Sequence, residues 1–133
     1  VGGNSVRSMR RAIQQGTAWH PIRPTVSDFV NVMLPAFVEL SERLELPMPD
    51  LCPRIRLRVT DTPRPNDVRL AGEGSLDQIR SDLATFEELG CTWILLDTYH
   101  DYLVDELADP QRSWDMFEAV ATEIFDLSTE SLR

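Results

Sequence analysis

The chain has 133 residues, of which 42% are apolar and 26% charged, and its 13 basic residues against 22 acidic ones leave a formal charge of −9. That length fits one ordinary domain, and the composition excludes a disordered or fibrous chain. The longest unbroken apolar run, 93–96, is far short of the ~20 residues of a membrane-spanning helix, and the acidic balance argues against nucleic-acid binding through bulk charge.

All 13 basic residues are Arg. No physical preference selects Arg over Lys at every position, so codon bias in a GC-rich genome is the simpler reading. Cys52 and Cys91 form no paired-Cys motif, which argues against a disulfide framework or a structural zinc site and suits a reducing cytoplasm. The chain opens at Val1-Gly2-Gly3, with no initiator Met and no basic-then-apolar leader, and so reads as a segment of something longer. Residues 1–60 carry 8 basic and 5 acidic groups, net +3; residues 61–133 carry 5 and 17, net −12.

The pattern signals alternate in one rhythm. Val6, Met9 and Ile13 at helical spacing, with Gly16 behind them, predict a helix over 5–15. A short strand over 17–22 ends in prolines. Thr25 or Ser27 caps a long helix to Leu44, with Phe29, Met33, Phe37 and Leu40 in its stripe and a kink or break expected at Pro35. Residues 54–60 alternate strictly, with Ile55, Leu57 and Val59 on one face and Arg54, Arg56 and Arg58 on the other, the period of a strand. Residues 61–74 read as a polar loop. Ser75 and Gln78 form a capping box for a helix closed by Gly90. The apolar run 91–97 suits a strand covered on both faces. Asp109 and Pro110 start a last helix with Trp114, Phe117, Val120, Ala121 and Ile124 in its buried stripe. Strands alternating with helices in this way imply an α/β domain with parallel strands and crossover helices, over residues 1–133 as one unit.

Four places hold chemistry. Gly2, Gly3, Asn4 and Ser5 join a strand end to a helix start, where free N–H groups favour an anion such as phosphate; a tight turn needing glycine dihedrals explains the same residues. Trp19-His20-Pro21 ends a short strand, where ligands gather in α/β proteins, and either meets a ring or fills a rim. The Arg54, Arg56 and Arg58 face either binds an anion or, more simply, pairs with carboxylates from neighbouring strands or faces solvent where the strand is poorly covered. Asp97-Thr98-Tyr99-His100-Asp101 offers an acid–base pair, or is a solvated loop in which Asp97 caps the strand end. Arg7, Arg10 and Arg11 read as a solvated helix face. No P-loop, nucleophile elbow, Rossmann fingerprint or metal-binding His pair is present.

Taken together, Val1-Gly2-Gly3-Asn4-Ser5, the Arg10-Arg11-Ala12 helix and Gly16-Thr17-Ala18-Trp19-His20-Pro21 resemble the luciferase-like monooxygenases. That family has a Gly-Gly strand end, an Arg-Ala-Ala helix and a Gly-Asp-Gly-Trp-His-Pro strand; Thr17-Ala18 stands here in place of Asp-Gly. Gly74-Ser75-Leu76-Asp77-Gln78-Ile79 is similar to its Gly-Thr-Pro-Glu-Gln-Val helix start, and Leu89-Gly90-Cys91 into Trp93–Asp97 is similar to its closing strand. The matches run over residues 1–97, and the branch most resembled uses the deazaflavin coenzyme F-420.

The resemblance implies the C-terminal half, strands five to eight, of a TIM-type (β/α)8 barrel, with strands six to eight at 17–22, 54–60 and 91–97. It implies an oxidoreductase using coenzyme F-420 or FMN on a small organic substrate, inactive as an isolated half. The cofactor phosphate would lie at Gly2, Gly3, Asn4 and Ser5, and Trp19 and His20 would line the pocket; no catalytic acid or base carries over. Two rivals stand beside it. One is a cofactor-free half-barrel interaction module. The other is a non-flavin barrel enzyme using Asp97, His100 and Asp101. A half-barrel also has open edges, which predicts association with a missing N-terminal half or between copies.

Overall fold

The computed structural model describes residues 1–99, 110–129 and 131–132. The fold is α/β, and its strands are short. They are β1 (Ala18–Trp19), β2 (Asp50–Leu51), β3 (Arg54–Arg56), β4 (Arg58–Val59), β5 (Glu73–Gly74), β6 (Leu95–Asp97), β7 (Phe125–Asp126) and β8 (Ser131–Leu132). The helices are α1 (Val6–Gln15), α2 (Val26–Asp28), α3 (Leu34–Leu44), α4 (Leu76–Glu88) and α5 (Pro110–Glu123).

Backbone hydrogen bonds link these short strands into longer parallel lines. Residues 1–3 bond to 18–20, through His20 N–H to Val1 O (2.9 Å) and Gly3 N–H to His20 O (3.1 Å). β1 pairs in parallel with β2, and Arg54 N–H continues that contact to Pro21 O. β3 pairs in parallel with β6 in the register Arg54 to Leu95, Ile55 to Leu96 and Arg56 to Asp97. The segments 1–3, 18–22, 50–56 and 91–97 are therefore joined in chain order, all parallel. Beyond residue 22, β5 takes up pairing with β4, also in parallel.

Helices α1, α2 and α4 start where the sequence provides a cap. Ser5 accepts from Ser8 N–H, Thr25 accepts from Asp28 N–H, and Ser75 and Gln78 complete a reciprocal capping box. The apolar faces of the helices meet one face of the strands. Trp19 is fully buried there, its ring 4.3 Å from that of Phe37 and 6.3 Å from that of Phe29, and Phe29 meets Phe86 edge-on at 5.0 Å. Ile55, Leu57 and Ile79 complete the centre of this core, as the alternation in 54–60 predicts.

Where the structure departs from the pattern, packing or pairing gives the reason. No break falls at Pro35. Instead the helix widens one turn earlier, over Phe29–Met33, where Leu34 N–H reaches back five residues to Phe29 O. That widening accommodates the N–H that proline lacks and the bulk of its ring. The strand predicted at 54–60 begins at Asp50 and is divided, because Pro53 has no N–H for the ladder and the pairing partner changes after Arg56. The run 91–97 is not covered on both faces: Trp93 is 71% and Leu95 45% exposed. In α5 the face turned inward holds Met116 and Val120, with Ile124 just beyond the helix, while Trp114 is 66% exposed. The β7–β8 hairpin follows, antiparallel and without the apolar alternation that signals a strand. Asp109, the expected cap of α5, lies outside the described residues. No helix among the described residues is long and apolar enough to cross a membrane.

Candidate functional site

Gly2 and His20 are bridge partners on adjacent parallel lines. Trp19 enters the helix-covered core, so strand alternation turns His20 to the opposite face. A Cβ at Gly2 would lie 3.9 Å from His20 Cδ2 and 4.0 Å from Ile22 Cδ1, which places all three on that second face. Ile22 is in register with Arg54, and Arg54 with Leu95. The uncovered face thus carries the glycine turn at one side and the arginine strand at the other, towards the C-terminal ends of the strands.

The turn itself is tightly built. Gly3 has φ +115°, and a Cβ there would stand 2.8 Å from Ser8 Oγ, so glycine is required by both conformation and space. Asn4 uses both ends of its amide on Ile22, donating from Nδ2 to the carbonyl at 2.8 Å and accepting the N–H at Oδ1 at 2.7 Å. Ser5 Oγ is held by Ser8. Trp19 Nε1–H donates to Gly3 O at 3.0 Å. Asn4, Ser5 and Trp19, three of the predicted ligand contacts, therefore shape the turn with their side chains. What faces outward is backbone: the N–H groups of Val6 and Arg7 have no acceptor among the described residues. There is no acidic residue in the first turn of α1, and the Arg7, Arg10 and Arg11 side chains are exposed, as expected of a solvated face.

His20 is half-buried, with Nδ1 2.6 Å from Cys52 O. A carbonyl only accepts, so the neutral ring carries its proton on Nδ1 and leaves Nε2 as an acceptor.

The arginine face resolves as ion pairs. Arg54 donates to Asp97 Oδ2 from Nε at 2.9 Å and from Nη2 at 2.7 Å, and Arg23 reaches the same oxygen at 3.2 Å. Arg56 pairs with buried Glu73 at 3.4 Å. Arg58 is half-buried and has no carboxylate partner among the described residues. Asp97 Oδ1 accepts from Tyr99 N–H at 3.0 Å. Burial alone would raise the Asp97 pKa, but the Tyr99 amide, Arg23 and Arg54 together hold it below the usual carboxylate value. An Asp so committed caps the strand end and is no free base. His100 and Asp101, named with it in the acid–base reading, lie outside the described residues. Burial, with Cys52 close by, pushes the Cys91 thiol up to about 12. Among the described residues no group of three His, Cys, Asp or Glu is placed to hold a metal ion.

Sequence reasoning missed Glu73 and Asp82. Asp82, buried on α4, takes a bidentate grip from Arg69 at 2.5 and 2.7 Å and accepts Gly72 N–H at 2.9 Å. Its position supplies the missing signal: it falls between Ile79, Leu83 and Phe86 on the inward stripe of α4, where an acid is out of place unless paired. No protein-family profile matches the chain, and no curated protein matches it.

Proposed function

We propose that the chain is the second half of a luciferase-like barrel, strands five to eight, belonging to an oxidoreductase that uses coenzyme F-420 or FMN. One observation carries this reading. Four parallel lines follow one another in chain order, helices cover one face, and the other face carries the Gly2–Ser5 turn and His20 side by side. A barrel wall is built this way, with its interior on the uncovered face and its ligands at the C-terminal ends of the strands.

The donors present suit a phosphate. The free N–H groups of Val6 and Arg7, the positive end of the ten-residue α1 and the bare Cα of Gly2 leave room and charge for one. His20, on the same face as Gly2, then keeps Nε2 as a hydrogen-bond acceptor for the cofactor. Bound cofactor supplies the hydride chemistry; this half anchors and orients it, and its ion-paired Asp97 supplies no proton relay. Since the opposite wall of the pocket is not in these residues, affinity is weak.

Amide chemical shifts suit a weak complex. FMN and coenzyme F-420, titrated separately, should move the amides of Gly3 to Arg7 and the His20 ring. Shifts that are absent, or scattered with no focus on this turn, would refute the proposal. The larger response identifies the preferred cofactor.

A further inference from the structure

The ion pairs of the arginine face leave one guanidinium over. Leu57 and Val59 pack into the core, so alternation turns Arg58, like Arg54 and Arg56, to the uncovered face. The carboxylates nearest to it are spent. Asp97 Oδ2 takes Arg23 and Arg54, and its Oδ1 takes Tyr99 N–H. Glu73 Oε1 takes Arg56, and its Oε2 takes Leu70 N–H at 3.2 Å. Arg58 is in register with Glu73, yet it makes no ion pair among the described residues. Its Nε is shut off from solvent and has no hydrogen-bond partner there.

Arg64 repeats the condition six residues on: it is half-buried, and its Nε is also enclosed and unbonded. Its backbone is clamped by Gln78, whose Oε1 accepts Arg64 N–H at 2.8 Å and Ser75 N–H at 3.2 Å, and whose Nε2 donates to Arg64 O at 2.8 Å. Both arginines are therefore rooted on one stretch, 73–78, where strand gives way to helix. A donor withdrawn from water with no acceptor is costly, and two at one strand end call for an acceptor. Nε and one Nη of a guanidinium form a flat fork that matches two oxygens of a carboxylate or phosphate. The Gly2 line lies two lines over, ~10 Å at the usual strand spacing, so an anion held there and one held at Arg58 are separate groups.

We infer that Arg58 grips an oxyanion, a carboxylate or a phosphate, on the substrate of the proposed oxidoreductase, with Arg64 adding charge at the same strand end. The substrate is then an organic acid or a phosphate ester, fixed by its charged end where the strands finish. That the anion belongs to a substrate rests on the oxidoreductase reading above; that Arg58 binds an anion does not.

The arginine Nε–H signals of the isotope-labelled chain test it, with inorganic phosphate and acetate titrated at constant ionic strength against chloride. The signal that vanishes in both Arg58→Gln and Arg58→Lys should move saturably with one or both oxyanions, and the stronger response gives the class of substrate. The amides of Glu73 and Gly74 should follow in the wild type and stay still in Arg58→Gln. By the same amides Arg58→Lys, which keeps the charge but not the fork, should bind roughly tenfold more weakly. The response should persist with FMN or coenzyme F-420 present. An Arg58 signal that moves no more with the oxyanions than with chloride, amides that respond equally in Arg58→Gln, or a response that the cofactors abolish would overturn the inference. Cofactor shifts over Gly3 to Arg7 with no response at Arg58 sink the inference alone. An Arg58 response without those shifts sinks the cofactor reading and leaves the anion site standing.

Discussion

Asp82→Ala removes the carboxylate at the centre of the ordered 66–74 loop. Asp82 is buried on α4 and accepts two charge-assisted bonds from Arg69 and one from Gly72 N–H. Arg69 is itself buried and also reaches Glu73 O at 3.1 Å and Asn66 Oδ1 at 2.7 Å. Without Asp82 the guanidinium stays in place with no counter-charge. Breaking a buried pair from one side costs ~3–5 kcal/mol, and the two Arg69 bonds at ~1.5–3 kcal/mol each give the same scale. At roughly 4 °C per kcal/mol for a chain of this size, the melting temperature should fall by roughly 12–20 °C. Urea unfolding at fixed protein concentration measures the loss directly. The double variant R69M/D82L removes both charges and fills the space, and should return to within ~1–2 kcal/mol of wild type. A single variant that loses less than ~1 kcal/mol, or a double variant as unstable as the single, would refute this account of the loop.

Three further expectations concern the site and its support. Trp19→Ala leaves a cavity between Phe29 and Phe37 and frees the Gly3 carbonyl; a loss of ~3–5 kcal/mol in urea unfolding is expected, with collapse of the near-UV circular dichroism. Gly3→Ala forces a side chain into a positive-φ position against Ser8, so amide shifts over residues 3–8 should move and stability fall by ~1–3 kcal/mol, while Gly2→Ala, which meets only ordinary contacts, leaves stability nearly unchanged. The Asp97 carboxyl is held below its ordinary value, so its stabilisation is complete above pH ~4, the unfolded pKa, and fades as pH falls towards the folded one. The stability difference between wild type and Asp97→Asn should therefore be flat near neutrality and shrink below pH ~4, as acid titrations of both would show.

The helices were legible because their signals are local. Ser5, Thr25 and Ser75 cap within one turn, and the stripe of α4 repeats through thirteen residues. The pairing of Arg54 and Arg56 with carboxylates is one of the readings the alternation allows, since cations turned into a barrel interior need counter-charge. Which carboxylates take part is not legible, because Asp97 lies 43 residues from Arg54 and Glu73 enters from a segment that reads as loop. The ligand contacts at Asn4 and Ser5 come from the resemblance alone, and that Asn4 bonds Ile22, 18 residues on, is fixed only by the pairing of 1–3 with 18–20. Trp114 and Met116 both fit a helical stripe, and only the packing of α5 decides between their adjacent faces.

The widened turn at Phe29–Met33 also changes how the helix counts its residues. Phe29 and Phe37 are eight apart, which in a regular α-helix leaves them about 80° out of line. Absorbing one extra residue makes that interval behave as seven, close to two whole turns, and both rings come to bear on Trp19. Length and facing are thereby uncoupled at this point. A chain one residue shorter between the two phenylalanines, with Pro35 also replaced, could present the same aromatic pair from a regular helix, whereas one residue longer would swing Phe29 away from the core. The extra residue is thus what lets a helix that carries a proline keep both rings on one side.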